Sequence, residues 1–154
     1  MNKLVFLLIG FVLTACQTVP PIYYEPPPAE LLETAASIVG TRVKPDNIFH
    51  DDETTFVLAI DGLPVKASRG NFDKPVYISP GMHTVQIANK QGTLMANVAF
   101  NIEIESKEKY IAKTEVLDLE NVRSWVENSK GEKVTPVLVG ARISGGSAVI
   151  PIIM

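Results

Sequence analysis

Residues 94–104 read LMANVAFNIEI, and the stretch alternates without a break. Leu94, Ala96, Val98, Phe100, Ile102 and Ile104 share one side, while Met95, Asn97, Ala99, Asn101 and Glu103 share the other. A repeat of two belongs to an extended strand, whose successive side chains point to opposite faces, and not to a helix with its repeat of 3.6. The chain must therefore build a sheet with one packed face and one largely wet face. Comparable runs lie at 37–43, 54–60, 75–79, 83–88, 110–117, 122–128 and 133–139. Between them fall the turn formers Asp61-Gly62, Ser79-Pro80-Gly81, and the stretches 89–92, 106–109 and 129–132. Eight short strands with frequent turns predict an all-β protein, an antiparallel β-sandwich. Pro136 lacks an N–H for a ladder, so an edge or a bulge is its expected place. Residues 29–36, AELLETAA, predict two helical turns of marginal stability.

The beginning of the chain follows another logic. Lys3 precedes an apolar run at 4–13 broken only by Gly10, and the small residues Thr14 and Ala15 stand before Cys16, the single cysteine. This is the layout of a secretory signal. The run is too short to span a bilayer, which takes about 20 residues. Leu13-Thr14-Ala15-Cys16 resembles a bacterial lipobox. The resemblance implies cleavage before Cys16 and attachment of lipid, palmitate included, to its thiol and its new amino terminus. Several acyl chains are needed for stable anchoring, because one chain at about 0.8 kcal/mol per buried CH₂ holds only marginally. In lipoproteins of this kind an Asp after the cysteine often signals inner-membrane retention. Gln17 stands there instead, which implies the outer membrane, on its periplasmic face.

The expected organisation is a signal peptide at 1–15, a lipidated cysteine and proline-rich tether at 16–36, and a β-sandwich domain at 37–154. Residues 17–28, QTVPPIYYEPPP, hold five of the eleven prolines and show no apolar periodicity. They predict a stiff polyproline II spacer of at most roughly 35 Å. Tyr23 and Tyr24 within it are candidate contacts, either with the membrane interface or with a partner. Loss of Lys3 with the signal leaves 13 basic against 17 acidic side chains, a mature charge of −4. Such a chain, without a basic cluster, is a poor nucleic-acid binder and feels no strong pull toward anionic lipids. With Cys16 lipidated no thiol remains for a disulfide, so stability must come from apolar burial.

FVLAIDGLPV followed by KPVYISPGMHTVQI, roughly residues 56–87, resembles the strand, Asp-Gly turn, strand and Pro-Gly-x-His return of PEGA-type surface domains and of small bacterial lipoproteins. The resemblance implies an Ig-like or PEGA-like sandwich. VRSWVENSKGEKV resembles the tryptophan-bearing hairpin near the end of such lipoproteins.

Catalytic patterns are sparse. Of the two histidines, His83 lies in the turn and strand signature, where a structural role is expected. His50 opens HDDE, and with Asp51, Asp52 and Glu53 it forms a weak candidate site for a divalent ion; a solvated acidic loop is the plainer reading. Glu103 and Glu105 share one strand face and are expected to be solvated charges rather than a glycosidase pair. SGGS at 144–147 has neither the nucleophile-elbow nor the phosphate-loop pattern. Trp125 alternates with Arg123 and Glu127, which would expose it as a platform for a sugar ring or partner. The general burial of tryptophan favours the core, reached through a bulge. The apolar end, with Val149, Ile150, Ile152 and Ile153, is expected to complete a sheet or meet a partner.

The sequence thus predicts an outer-membrane, lipid-anchored lipoprotein. Its domain is a non-catalytic binding or structural module in the periplasm that needs no cofactor. Its partners are the bilayer through Cys16 and an envelope protein or peptidoglycan, and Tyr23, Tyr24 and Trp125 are its candidate contacts. The alternative is a metal-dependent module or enzyme built on residues 50–53.

Overall fold

The computed structural model describes residues 21–44, 51–66 and 72–144. It is all-β, with two sheets packed face to face. After a 3₁₀ turn (Ala29–Leu31) come β1 (Ala36–Val39), β2 (Thr41–Val43), β3 (Glu53–Ile60), β4 (Leu63–Pro64), β5 (Val76–Ile78) and β6 (Gly81–Gln91). The second half supplies β7 (Leu94–Ile104), β8 (Lys109–Val116), β9 (Asn121–Glu127), β10 (Leu138–Ala141) and β11 (Ile143–Ser144). One sheet runs β10-β9-β8-β1-β5 and the other β11-β7-β6-β3-β2, with β4 also on β3.

The alternating stretch at 94–104 forms β7 over its whole length. It pairs with β6 from Gly81↔Ile104 to Gln91↔Leu94 without a shift. Ala96, Val98, Phe100, Ile102 and Ile104 are buried, and Asn101 and Glu103 are exposed. Across the core lie Ala36, Ile38, Ile78, Tyr110, Ala112 and Val126 of the first sheet, facing Val57, Ile60, Val85, Ile87 and β7 of the second. Fully burying one such aliphatic side chain contributes about 1.5–3 kcal/mol.

The run at 37–43 is not one strand. It divides at Gly40 into β1 and β2, which belong to different sheets. The chain steps between layers in a single residue because Gly40 lies against the backbone carbonyl of Thr55, where any Cβ would collide, while its N–H donates to Phe72 O at 2.7 Å. A second departure is the parallel pairing of β1 with β8, since the other neighbours are antiparallel. Parallel partners need a long crossover. Here most of the second sheet is the crossover. A bulge between Val57 and Ala59 in β3 resets the alternation that 54–60 suggests.

The remaining differences lie near proline. Residues 29–36 make no pair of α-helical turns: the 3₁₀ turn after Pro28 gives way to Ala35 and Ala36, which are buried. So short a segment cannot recover the cost of helix nucleation, and the buried alanines favour the strand. Nor is 133–139 one strand. Lys133 forms an isolated bridge with Glu127, and Thr135 Oγ1 accepts the N–H of Val126 at 2.9 Å. Only after Pro136 does β10 begin, as an edge strand.

Part of the proline-rich stretch is engaged with the sheets. Tyr24 N donates to Pro64 O at 2.8 Å and its hydroxyl donates to Tyr77 O at 3.0 Å, so Tyr24 joins β4 of one sheet to β5 of the other. With Val65 it packs on the core from this flank. Residues 24–36 are thus part of the folded unit. Cys16 and the apolar end at 145–154 lie outside the described residues.

Gly40→Ala places a Cβ on backbone that cannot yield. Overpacking usually costs about 1–3 kcal/mol, and the upper part of that range or more is expected here. Urea unfolding checks it; a loss under about 0.5 kcal/mol, the size of an ordinary surface change, would contradict this account of the crossing.

Candidate functional site

Three places gather the chemistry-bearing residues singled out in the sequence. The first is the end of the sandwich where β3 begins, β6 ends, and the chain passes from β10 to β11. Arg142 makes that passage with its side chain only 2% exposed. Its Nη2 donates to Asn89 Oδ1 at 3.1 Å and its Nη1 to Gln91 Oε1 at 3.2 Å, while Glu53 Oε1 lies 3.9 Å away. Asn89 Nδ2 in turn donates to Glu53 Oε1 at 2.8 Å. The Arg142 backbone N–H reaches Glu120 O at 2.6 Å. Arg142 Nε is buried without a partner, the one such side-chain atom among the described residues.

The acidic candidates divide around this cluster. Asp52 pairs with Arg42 at 3.6 Å, and that guanidinium also lies 4.4 Å from the Phe72 ring centre. Glu53 is committed to Asn89 and Arg142. Asp51 gives its carbonyl to Gln91 Nε2 at 3.3 Å. His50 lies outside the described residues. Among those that are described, no group of three or more His, Cys, Asp or Glu side chains is placed to hold a metal ion. What the arrangement does chemically is neutralise a buried guanidinium where the chain changes sheets. Sequence reasoning missed Arg142 as the centre of this cluster; the one signal was its place as the last charge before an apolar end.

The second place is the turn after β3. Asp61 and Gly62 both adopt positive φ, 51° and 78°, in a hairpin that pairs Ile60 with Leu63. His83 Nδ1 lies 2.7 Å from Asp61 Oδ2, its Nε2 lies 3.0 Å from Ser79 O, and Asp61 Oδ1 accepts the Thr84 N–H at 2.9 Å. Ser79 therefore offers its carbonyl and not its hydroxyl. With both ring nitrogens occupied, His83 clamps two turns together and has no nucleophile to activate.

The third place is the aromatic residues. Trp125 is half-buried on the outer face of β9, between exposed Arg123 and half-buried Glu127, while Val122, Ser124 and Val126 point inward. The core placement favoured from tryptophan's general burial is corrected: no bulge turns the ring inward, and β9 pairs with β8 in unbroken register. Its Nε1 donates to Glu127 Oε1 at 2.7 Å, and Lys133 Nζ stands 4.4 Å from the ring centre, a cation–π contact. The ring is thus on the surface but covered by a lysine. Glu103 and Glu105 are both exposed, as solvated charges would be.

Tyr23 and Tyr24 separate. Tyr23 remains exposed with Lys66 Nζ 5.3 Å from its ring, whereas Tyr24 is spent in the flank. Burial first, and then the charge of Asp61, push the Tyr24 phenol above the ordinary tyrosine range. Beside it lies a cleft of about 250 Å³ with Val65, Pro75 and Tyr77 in its walls. No helix among the described residues is long and apolar enough to cross a membrane.

Comparison with models of protein families, with curated proteins and with solved structures gives no match. The fold and the site together define a two-sheet, all-β domain whose polar clusters are turned to holding its own ends and turns.

Arg142→Ala should strand Glu53 and Asn89 in a closed environment and cost about 3–5 kcal/mol, the usual range when one member of a buried pair is removed. Denaturant unfolding measures it; a loss below about 1 kcal/mol would show that the cluster is solvated. Lys133→Ala should uncover Trp125, raising its quenching by acrylamide while leaving the fold unchanged. Unaltered quenching would show that the lysine does not shield the ring.

Proposed function

We propose that the chain is an outer-membrane lipoprotein, anchored through lipidated Cys16 on the periplasmic face, whose domain works by binding or as a structural part of the envelope. The observation that carries this is Leu13-Thr14-Ala15-Cys16 closing a short apolar run behind Lys3. The Ig-like or PEGA-like character of the sandwich is part of the proposal. It is supported by the left-handed Asp61-Gly62 turn and by Gly81, with φ 125°, after Pro80.

The partner is an envelope protein or peptidoglycan. A binding role draws support from how the polar groups are used: Glu53, Asp61, His83 and Arg142 each serve a turn or an end, and the outer faces remain for recognition. The metal-dependent or enzymatic reading through residues 50–53 loses ground for the same reason, because Asp52 and Glu53 are already engaged with Arg42, Asn89 and Arg142.

Membrane fractionation tests the anchor. The native chain should be recovered with the outer membrane and carry acyl mass on Cys16, while Cys16→Ser should lose both. Mature-sized Cys16→Ser protein still bound to membranes would overturn the proposal. In-cell crosslinking followed by mass spectrometry and peptidoglycan co-sedimentation, run on both forms, then identifies the partner.

A further inference from the structure

We infer that the outer edge of β7, over residues 99–103, is a pairing site for the same edge of a second copy of this chain. Thr84, which lies opposite Asn101, spends its N–H on Asp61 Oδ1 at 2.9 Å and its carbonyl on the Asp61 N–H at 2.8 Å, both on the β3 side. Thr84 and Asn101 therefore share no ladder bonds, and the N–H and carbonyl of Asn101 point away from β6. Ala99 and Glu103, two residues to either side, turn theirs the same way. Among the described residues no backbone group meets these: β11 pairs only with Met95 and Leu94, and runs from the first toward the second, away from 99. Gly140 lies against Asn97 and Val98 at one end, and at the other the Glu105 N–H donates to the Tyr110 hydroxyl at 2.9 Å. The open run is bounded on both sides, with Asn101 at its centre.

The other strands with an open side are guarded in the ways that sheets usually guard their edges, by shortness or by proline. β2 and β5 have three residues each, and Tyr77 O in β5 already holds the Tyr24 hydroxyl. β10 has four and follows Pro136. β7 has eleven residues with no proline, no lysine and no bulge against β6. Its centre also suits a copy of itself. A two-fold axis at Asn101 sets Asn101 opposite Asn101 of the second copy, and Ala99 opposite Glu103 of the second copy. The one charge in the run then faces a methyl group, whereas like charges directly opposite would destabilise the sheet. Each of these pairs is of the hydrogen-bonded kind, so the open N–H and carbonyl groups of 99, 101 and 103 are satisfied on both strands at once. Such a contact uses the same patch on both copies, closes as a dimer and joins two sheets into one.

The test is oxidative crosslinking of the full chain in the cells that make it, read by mass spectrometry as the linked peptides, which separates any product of Cys16. In the paired strands the two Cα atoms at 101 stand about 5.5 Å apart, within the span of a disulfide. The two at 99 stand about 14 Å apart, as do the two at 103, which is beyond it. Asn101→Cys should therefore give a 101-to-101 product at least about tenfold above the like product of Ala99→Cys or Glu103→Cys made alone. Ala99→Cys and Glu103→Cys made together should give the 99-to-103 product, which reads the same register without touching Asn101. No product from either experiment would overturn the dimer. Equal yields at 99, 101 and 103 made alone would mean collision without register, and would overturn it too. A link from 101 to a different protein, in place of the 101-to-101 product, would give the edge to a foreign strand and overturn the two-fold.

Discussion

Contact between the inner faces of two sheets holds the rest of the molecule in place. Ile38, Ile78, Ala112 and Val126 meet Ile60, Val85, Ile87, Phe100 and Ile102 in one continuous apolar layer. A sheet with a single apolar face has to cover it, and a second sheet is the cover that this alternating sequence can make. The only cysteine lies outside the described residues, so no covalent link supports that layer there. Every crossing of the chain from one sheet to the other must be solved without opening it. At Gly40 the solution is the absence of a side chain. At Arg142 it is a guanidinium surrounded by amides and one carboxylate.

The second solution decides what the polar residues are free to do. A buried guanidinium requires partners, and Asn89, Gln91 and Glu53 are drawn inward to supply them. Asp52 is held by Arg42, and Asp61 by His83 and Thr84. Groups committed in this way stabilise ends and turns and are poorly placed for chemistry on a substrate. Tyr23, Leu63 and Trp125, by contrast, lie on the outer faces and the flank. That division follows from the packing.

Much of this was legible in the sequence, for identifiable reasons. The repeat of two at 94–104 gives β7 and, through it, β6, since a long alternating strand needs a partner of equal length. The Asp61-Gly62 hairpin follows from residues that tolerate left-handed backbone. The break at Gly40 was hidden because alternation continues through it, and only the close approach of Thr55 shows that the two halves part. Alternation also placed Trp125 correctly on the outer face, where the average burial of tryptophan misled. Arg142 could not be found because its partners come from positions 53, 89 and 91, and a single sequence carries no record of that proximity.

The flank at Tyr24 has a further consequence for how steadily the domain is held. Its clasp is a phenol donating to the Tyr77 carbonyl, and burial with the nearby Asp61 charge raises that phenol above the ordinary tyrosine range. A raised group contributes stability that is whole below its unfolded pKa and is lost as pH climbs through the folded one. For Tyr24 that window begins above about pH 10. The carboxylates of Asp118 and Glu108 behave oppositely. Asn121 amide hydrogen bonds lower the first, and hydrogen bonds from Ser129 and then Lys109 lower the second. Their contributions hold above the ordinary carboxylate range and are lost as pH falls through the folded values. Between these limits the clasp and both turns keep one protonation state. Across that range the Tyr24 hydroxyl keeps its proton for the Tyr77 carbonyl, and the Asp118 and Glu108 carboxylates keep the charge that accepts their turn hydrogen bonds.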